Sequence, residues 1–377
     1  MKICFWGAIA SAIKGKTIGG GELQMSLLAK SLAKAGHEVV VIDPFSHESF
    51  ITEDGIKVLH VPDWNKGLPG IKMLFRLLPA LYKLFVKQKA DYYYVRMRSY
   101  LNLASYLAAR KTKGKFLVAL ASDIDLLNLR DKYKYAYKSN FTLFKYLSFW
   151  LPNDLVFKFI LKRADYIVKQ HQGQAVNTRK VRGKVILFPN IINMKYLPVI
   201  ATPSSNYYIY VGSLTMIKGA DNLYEIVSNI DKNISIMIVG QPNDKSAKPI
   251  FEKLKNLVNA NVKGRNEHRD TLKYLANAKA LINTSEFEGF PNVFLESWAM
   301  GIPVLSYKVN PGNIFDIHNL GYCFKGDMKK MTEFINDKEN CIELLDINRG
   351  KMISYVKDFH DFNTAADRFV SALNNSL

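Results

Sequence analysis

The chain has 377 residues, of which 48% are hydrophobic, so it is long and apolar enough for two folded domains with full cores. Its three cysteines, Cys4, Cys323 and Cys341, stand at no metal-ligand or disulfide spacing, which excludes a zinc module or a disulfide scaffold and suggests a reducing cytosol. No apolar run approaches the ~18 residues of a membrane span, and the formal charge of +19 sits entirely in one half: residues 1–200 hold 32 Lys+Arg against 13 Asp+Glu, whereas residues 201–377 hold 20 of each.

In chain order, residues 2–7 read as a buried strand. A loop with Lys14 and Lys16 follows, then three glycines, then a helix over about 22–35 whose Leu23, Leu27, Leu28 and Leu32 keep a helical period. The apolar stretch 3–13 after Lys2 has something of a signal peptide, but the glycines and helix behind it give the arrangement of a first βα unit. Gly20 and Gly21 before a helix let backbone amides approach a phosphate; the same pattern in isolation describes a tight turn. Residues 38–42, 92–96 and 116–121 read as further strands, with 101–110 helical. Strands alternating with helices imply a parallel sheet.

Asp123 and Asp125 follow the third of these strands. Paired aspartates there are either caps of the next helical run or a metal pair, and capping is the commoner use. Residues 126–163 form an insertion rich in lysine and aromatics. Residues 164–168 and 184–190 complete a first domain over 1–198, and the proline-containing stretch 198–206 reads as a linker. His171, in the polar run QHQGQ, reads as a surface residue.

The second domain opens with a strand at 207–212 and a loop through Ser213, Lys218 and Gly219. Strands follow at 235–240 and around Asn261, with Arg265 just beyond. Residues 280–284 form a short buried strand. Behind it, Glu288 lies in a loop that Gly289 and Pro291 punctuate, and Glu296 lies about one turn inside a helix that Gly301 and Pro303 stop. Both carboxylates therefore approach one helix N-terminus at the carboxyl end of a strand, where open α/β sheets bind ligands. Amides around 292–294 would favour an anion such as phosphate. Two segments at about 339–357 and 361–373 read as terminal helices.

Taken singly, Glu288 and Glu296 would be solvated acids. The whole string from Ser285 to Val304, with Phe290, Pro291, Asn292 and Val293 between the glutamates, resembles the signature of the retaining family-four glycosyltransferases. The resemblance covers most of the second domain; in the first it rests on Gly20 to Glu22 and on element order. It implies the α/β fold called GT-B: two Rossmann-like domains with parallel sheets facing a central cleft, here 1–198 and 207–357, with a last helix over 358–377 returning to the first domain.

The resemblance further implies a nucleoside-diphosphate sugar as co-substrate, a UDP-sugar favoured, and no metal or other cofactor. Lys218 matches a lysine that neutralises the donor diphosphate. Gly20, Gly21, Arg265, Phe290, Pro291, Asn292, Val293 and Glu296 match donor-binding positions, with Glu296 on the ribose hydroxyls. Glu288 would stand by the donor sugar. Two positions depart from the family: Ser213 replaces an arginine of the diphosphate site, and Ser122, followed by Asp123 on the acceptor side, replaces a histidine. Rival readings are a nucleotide-sugar epimerase of the same fold and a non-catalytic donor-binding subunit.

The basic first half suggests an anionic partner. Nucleic acid is set aside because of the strong second-domain motif. An anionic membrane surface is favoured, with a glycan or lipid-linked acceptor and a peripheral location on the cytoplasmic face. Lys72, Arg76, Lys83 and Lys87 would share one helical face kinked at Pro79, with Leu77, Leu81 and Phe85 among the apolar residues around it. In the insertion, residues 130–163 hold 8 Lys+Arg, 2 Asp+Glu and 10 aromatics. There Tyr137, Phe141, Phe144 and Leu151 would share a face that Pro152 ends.

Overall fold

The computed structural model describes residues 1–16, 19–62, 73–133, 142–198, 206–337, 339 and 349–375. Lys72, Tyr137, Phe141, Cys341 and most of the expected linker lie outside them. Two compact units emerge. The first comprises Met1–Ala121, Phe141–Ile191 and Phe362–Leu377; the second comprises Ser122–Asn140 and Ile192–Asp361.

The first unit is built on an eight-stranded sheet of β1 (Lys2–Trp6), β2 (Glu38–Asp43), β3 (Phe50–Ile51), β4 (Lys57–His60), β5 (Tyr92–Val95), β6 (Lys115–Ala119), β7 (Tyr166–Lys169) and β8 (Lys184–Leu187). Their spatial order is β3-β4-β2-β1-β5-β6-β7-β8. Every neighbouring pair is parallel except β3 with β4. Strands such as β1 and β2 are near-continuous apolar runs because helices cover both faces of such a sheet. A short helix, α1 (Ala10–Ile13), and then α2 (Gly20–Lys34) follow β1. Helix α2 presses Met25, Leu28, Ala29 and Leu32 into the core.

Along the chain come α3 (Leu78–Gln88), α4 (Asn102–Thr112) and α5 (Leu151–Arg163). The last helix of the chain (Ala365–Asn374) packs Phe369 against Tyr94 and Phe188, with ring centroids 6.2 and 5.0 Å apart. Ser31 of α2 fastens it, donating to the Phe362 carbonyl and accepting from the Ala366 amide.

The second unit has a six-stranded, all-parallel sheet of β9 (Tyr207–Val211), β10 (Ser235–Val239), β11 (Ala260–Gly264), β12 (Leu281–Asn283), β13 (Val304–Ser306) and β14 (Gly321–Cys323). The order is β11-β10-β9-β12-β13-β14. In the first sheet the order reverses between β1 and β5, in the second between β9 and β12. Such reversals open a crevice at the carboxyl ends of the two strands, because the loops leave in opposite directions.

Several expectations need correction. Pro152 does not end a helix, and Pro79 stands inside a helical run that continues from Met73 to Gln88. Each stands in the first turn of an α-helix, α3 and α5, preceded by a π turn at Met73–Leu77 and Tyr146–Trp150. Proline lacks an N–H and crowds the carbonyl four residues back; the wider turn ahead absorbs both faults. Along the π turn and α3, Leu77, Leu81 and Phe85 are buried core residues, while Arg76, Lys83 and Lys87 are exposed. His171 is buried, not on the surface. Ser122–Asn140 groups with the second unit although a cut near 198 would leave it in the first; the Asp123 amide donates to the Glu288 carbonyl at 3.3 Å.

Candidate active site

The crevice of the second unit is made by the loops that leave β9 and β12, and these loops are laced together. The hydroxyl of Thr284, just past β12, donates to the Lys218 carbonyl at 2.9 Å. The Glu286 amide donates to the Ile217 carbonyl at 3.0 Å. Asn222 reaches across with its amide to the Thr284 carbonyl and the Glu286 carboxylate, both at 3.2 Å. Lys308 holds the other oxygen of Glu286 at 2.7 Å. Gly219 makes the approach possible: its φ of 64° is left-handed, and a Cβ there would run into the Thr284 carbonyl.

This lacing brings two sequence-distant candidates into contact. Lys218 Nζ lies 3.1 Å from Glu288 Oε1. The same oxygen accepts from the Ser285 hydroxyl at 3.0 Å, so the carboxylate is held from two sides. Tyr210 of β9 stands nearby. Burial first, and the Glu288 charge second, push its phenol far above the usual range, so it stays protonated; it donates to the Ser213 carbonyl at 3.3 Å. The Lys218–Glu288 pair is partly exposed, so it adds little to stability; its value is to place a cation and a carboxylate together at a crevice mouth.

From the Glu288 loop the chain turns into α7 (Asn292–Ala299), with Pro291 as its extended first flank. An earlier helix, α6 (His268–Ala276), lies beside it. Phe290 is buried against Trp298 and His360, with centroids 6.3 and 4.9 Å apart. Phe290 and buried Pro291 therefore fix the angle of the helix from within the core, and their side chains face away from solvent. Of the first-turn amides, that of Phe294 already donates to the Pro291 carbonyl at 3.1 Å, so it does not serve the expected anion site. Arg265 is exposed at the carboxyl end of the edge strand β11.

Glu296 is not solvated. Its Oε1 lies 2.8 Å from His268 Nε2. His268 went unnoticed in the sequence because it stands outside the Ser285–Val304 string and in no repeating pattern. The hydrogen bond to Glu296 raises the imidazole pKa above 6.5, burial opposing and the carboxylate charge adding. A histidine whose pKa rises on folding contributes stability that is fully present below 6.5 and is lost as pH rises through the folded-state value. Denaturant titrations between pH 6 and pH 8 should therefore show the wild-type protein losing stability over that interval and His268→Gln losing less; equal slopes would mean the pair does not form.

Asp123 and Asp125 lie on a 3-10 turn, Asp123–Leu126. Ser122, not an aspartate, is its cap: Ser122 Oγ accepts from the Ile124 amide, and the Ser122 amide donates to Asp125 Oδ2 at 3.2 Å. Asp125 is thus used structurally, and Asp123 sits beside the Glu288 loop through its backbone. Gly20 and Gly21 open α2 in the first unit.

A parallel sheet whose reversal gathers a lysine, two carboxylates and a helix N-terminus is the ligand crevice of an α/β enzyme, and comparison with known proteins gives its class. The family model described as glycosyl transferases group 1 matches residues 199–344, and that described as Glycosyltransferase Family 4 matches residues 18–195. Between them they account for most of the chain and show a glycosyltransferase of the family-four-like type.

The fold is similar to that of sucrose-phosphate synthase from Thermosynechococcus elongatus, at 16% identity and a TM-score of 0.74 over 100% of this chain and 99% of that one. It is also similar to HepE from Anabaena in complex with UDP and glucose, at 14% identity and a TM-score of 0.70 over 100% of both chains. A third similar structure is the lipopolysaccharide outer core galactosyltransferase WaaB, at 17% identity and a TM-score of 0.66 over 100% of both. No curated protein matches the chain in sequence.

Proposed function

We propose that the enzyme transfers a sugar from a UDP-sugar to a glycan or lipid-linked acceptor at the cytoplasmic face of a membrane, with retention and without a metal ion. The observation that carries the reading is the Lys218–Glu288 pair, 3.1 Å apart at the β9/β12 reversal, with Glu296 about one turn inside the helix that follows. The reaction needs negative charge stabilised on the departing diphosphate and positive charge tolerated at the anomeric carbon. Preorganised cations, amides and a carboxylate supply both. Lys218 would meet the diphosphate, Glu288 the sugar, and Glu296 the ribose hydroxyls. The similar HepE structure, a complex with UDP and glucose, supports the choice of base.

The test is release of nucleoside diphosphate from a panel of nucleotide sugars, with and without membrane lipid extract. Turnover of a UDP-sugar that rises with acceptor supports transfer. Conversion of the sugar with no diphosphate released would favour the epimerase, and tight binding with no turnover the non-catalytic subunit. Excess chelator should leave the rate unchanged; a loss restored by a divalent ion would remove the metal-free mechanism.

The membrane part of the proposal has support from the insertion. Leu155 and Phe159 are exposed and, with half-buried Leu151, fall on one stripe of α5; Phe144, ahead of the π turn, and Leu147, within it, are also exposed. Lys145 lies over Trp150 and Arg163 over Phe159, at 5.7 and 4.1 Å, so cations border the apolar row. Among the described residues no helix is long and apolar enough to cross a membrane; an amphipathic surface contact needs none. Co-sedimentation with anionic vesicles at low salt, and release by salt, are expected. Combined Arg76, Lys83 and Lys87 to Gln with Phe144 and Leu155 to Ser should abolish it without altering UDP affinity. Wild-type protein left in the supernatant would defeat the proposal.

A further inference from the structure

Glu288 is held by more than the two groups that touch it. The Ser285 hydroxyl donates to Glu288 Oε1 at 3.0 Å. Behind it, the side-chain amide of Asn283, the last residue of β12, donates to Ser285 Oγ at 3.3 Å. A hydroxyl carries one proton. With the amide N–H on a lone pair of Oγ, that proton is directed at the glutamate. Turning the Asn283 amide round would set its Oδ1 against Oγ, where it would compete with Glu288 for the same proton. The chain Asn283, Ser285, Glu288 therefore runs in one direction, from the sheet to the carboxylate.

The amide is an expensive way to fill this place. Asn283 is buried, and its Oδ1 meets no hydrogen-bond partner among the described residues. A buried carbonyl oxygen left unpaired is destabilising, and leucine, with a side chain of similar size, has no polar atom to satisfy. Stability alone thus gives no reason for an amide here; the bond to Ser285 does. The backbone that carries it is fixed. Asn283 lies opposite Ser306 in the β12–β13 ladder, and its carbonyl accepts from the Tyr307 amide at 2.8 Å. Thr284, the next residue, turns to the other side, where its hydroxyl holds the Lys218 carbonyl. One strand end thus places the backbone of the lysine through one side chain and the carboxylate of the glutamate through the two that flank it.

We propose that Asn283 is a positioning residue for the reaction, acting through Ser285 to hold Glu288 when Lys218 turns to the diphosphate. The inference rests on the roles given to Lys218 and Glu288 as partners of diphosphate and sugar. In the free site Lys218 Nζ and the Ser285 hydroxyl both engage Oε1. A lysine that meets the departing diphosphate gives up part of that contact, and of the two tethers the hydroxyl is the one that remains. A serine hydroxyl rotates to suit its surroundings; the amide behind it removes that freedom and keeps the proton on the glutamate.

The experiment uses the full chain and the UDP-sugar that wild type turns over fastest in the nucleotide-sugar panel. UDP release gives kcat and KM, calorimetry the affinity for UDP, and the thermal midpoint the state of the fold. Asn283→Leu is expected to lower kcat roughly fivefold to tenfold, the worth of about one hydrogen bond, with UDP affinity within about twofold of wild type. The midpoint should be no lower, because an unpaired carbonyl has been removed. Ser285→Ala should lower kcat at least as far, and adding Asn283→Leu to Ser285→Ala or to Glu288→Gln should cost nothing more. If leucine lowers the midpoint, Asn283→Ala takes its place in the same cycle. An Asn283 variant with wild-type kcat, in a protein that Glu288→Gln impairs, overturns the inference and leaves the role of Glu288 standing. A loss that multiplies with that of Ser285→Ala overturns it too, since the two residues would then act separately, and so does a loss of UDP affinity equal to the loss of kcat. If Glu288→Gln turns over at the wild-type rate, the reading of the site fails first and this inference falls with it.

Discussion

Glu288→Gln is expected to lower kcat by roughly a hundredfold while the Michaelis constant for the donor changes little. The carboxylate is held by Lys218 at 3.1 Å and by the Ser285 hydroxyl at 3.0 Å, both to the same oxygen, which leaves the other edge of the group for substrate. Glutamine keeps the shape and an acceptor for Ser285, so the loop should keep its course. What it removes is a fixed negative charge. Removing one preorganised electrostatic element from a site typically costs about 3 kcal/mol of transition-state stabilisation, which is roughly two orders of magnitude in rate. Steady-state release of UDP, alongside a thermal midpoint to show an intact fold, measures it. A variant within threefold of wild type would place Glu288 outside the chemistry.

How much of this arrangement could be read in advance differs by element. The alternation of strands and helices was legible because buried parallel strands are short apolar runs and helices such as α2 keep their leucines at helical spacing. The Ser285–Val304 string was legible as a local motif. The Lys218–Glu288 contact was not, because it depends on β12 pairing with β9 rather than with its sequence neighbour β11. Periodicity reports which face of a strand is buried and says nothing of which strand lies beside it.

Other features were hidden for different reasons. His268 is a single polar residue whose meaning depends on what surrounds it, a glutamate on a helix packed alongside. Along the π turn and α3 the apolar residues at helical spacing fit a membrane face or a core face equally well in sequence, and packing against the sheet decided for the core at Leu77, Leu81 and Phe85. Pro152 reads as a break because the π turn that accommodates it leaves no mark in composition.

Lys218→Ala should cost affinity for UDP far more than for uridine, by an estimated tenfold or more, since a charge-assisted bond to a phosphate oxygen is worth about 1.5–3 kcal/mol. The loss has a second component that the geometry makes testable. Lys218 and Glu288 neutralise each other in the free site. Without the lysine, the carboxylate faces an incoming diphosphate with its charge exposed, and repulsion adds to the missing attraction. The double variant Lys218→Ala/Glu288→Gln should therefore bind UDP better than Lys218→Ala alone, although it turns over no faster. Residues in direct contact commonly couple by 0.5 to about 3 kcal/mol in such cycles, well within the resolution of calorimetry on the four proteins. Strict additivity of the two substitutions in UDP affinity would show that the pair does not act as one unit toward the diphosphate. Equal losses for UDP and uridine would move Lys218 away from the phosphates altogether, and with it the reading of the β9/β12 crevice as the donor site.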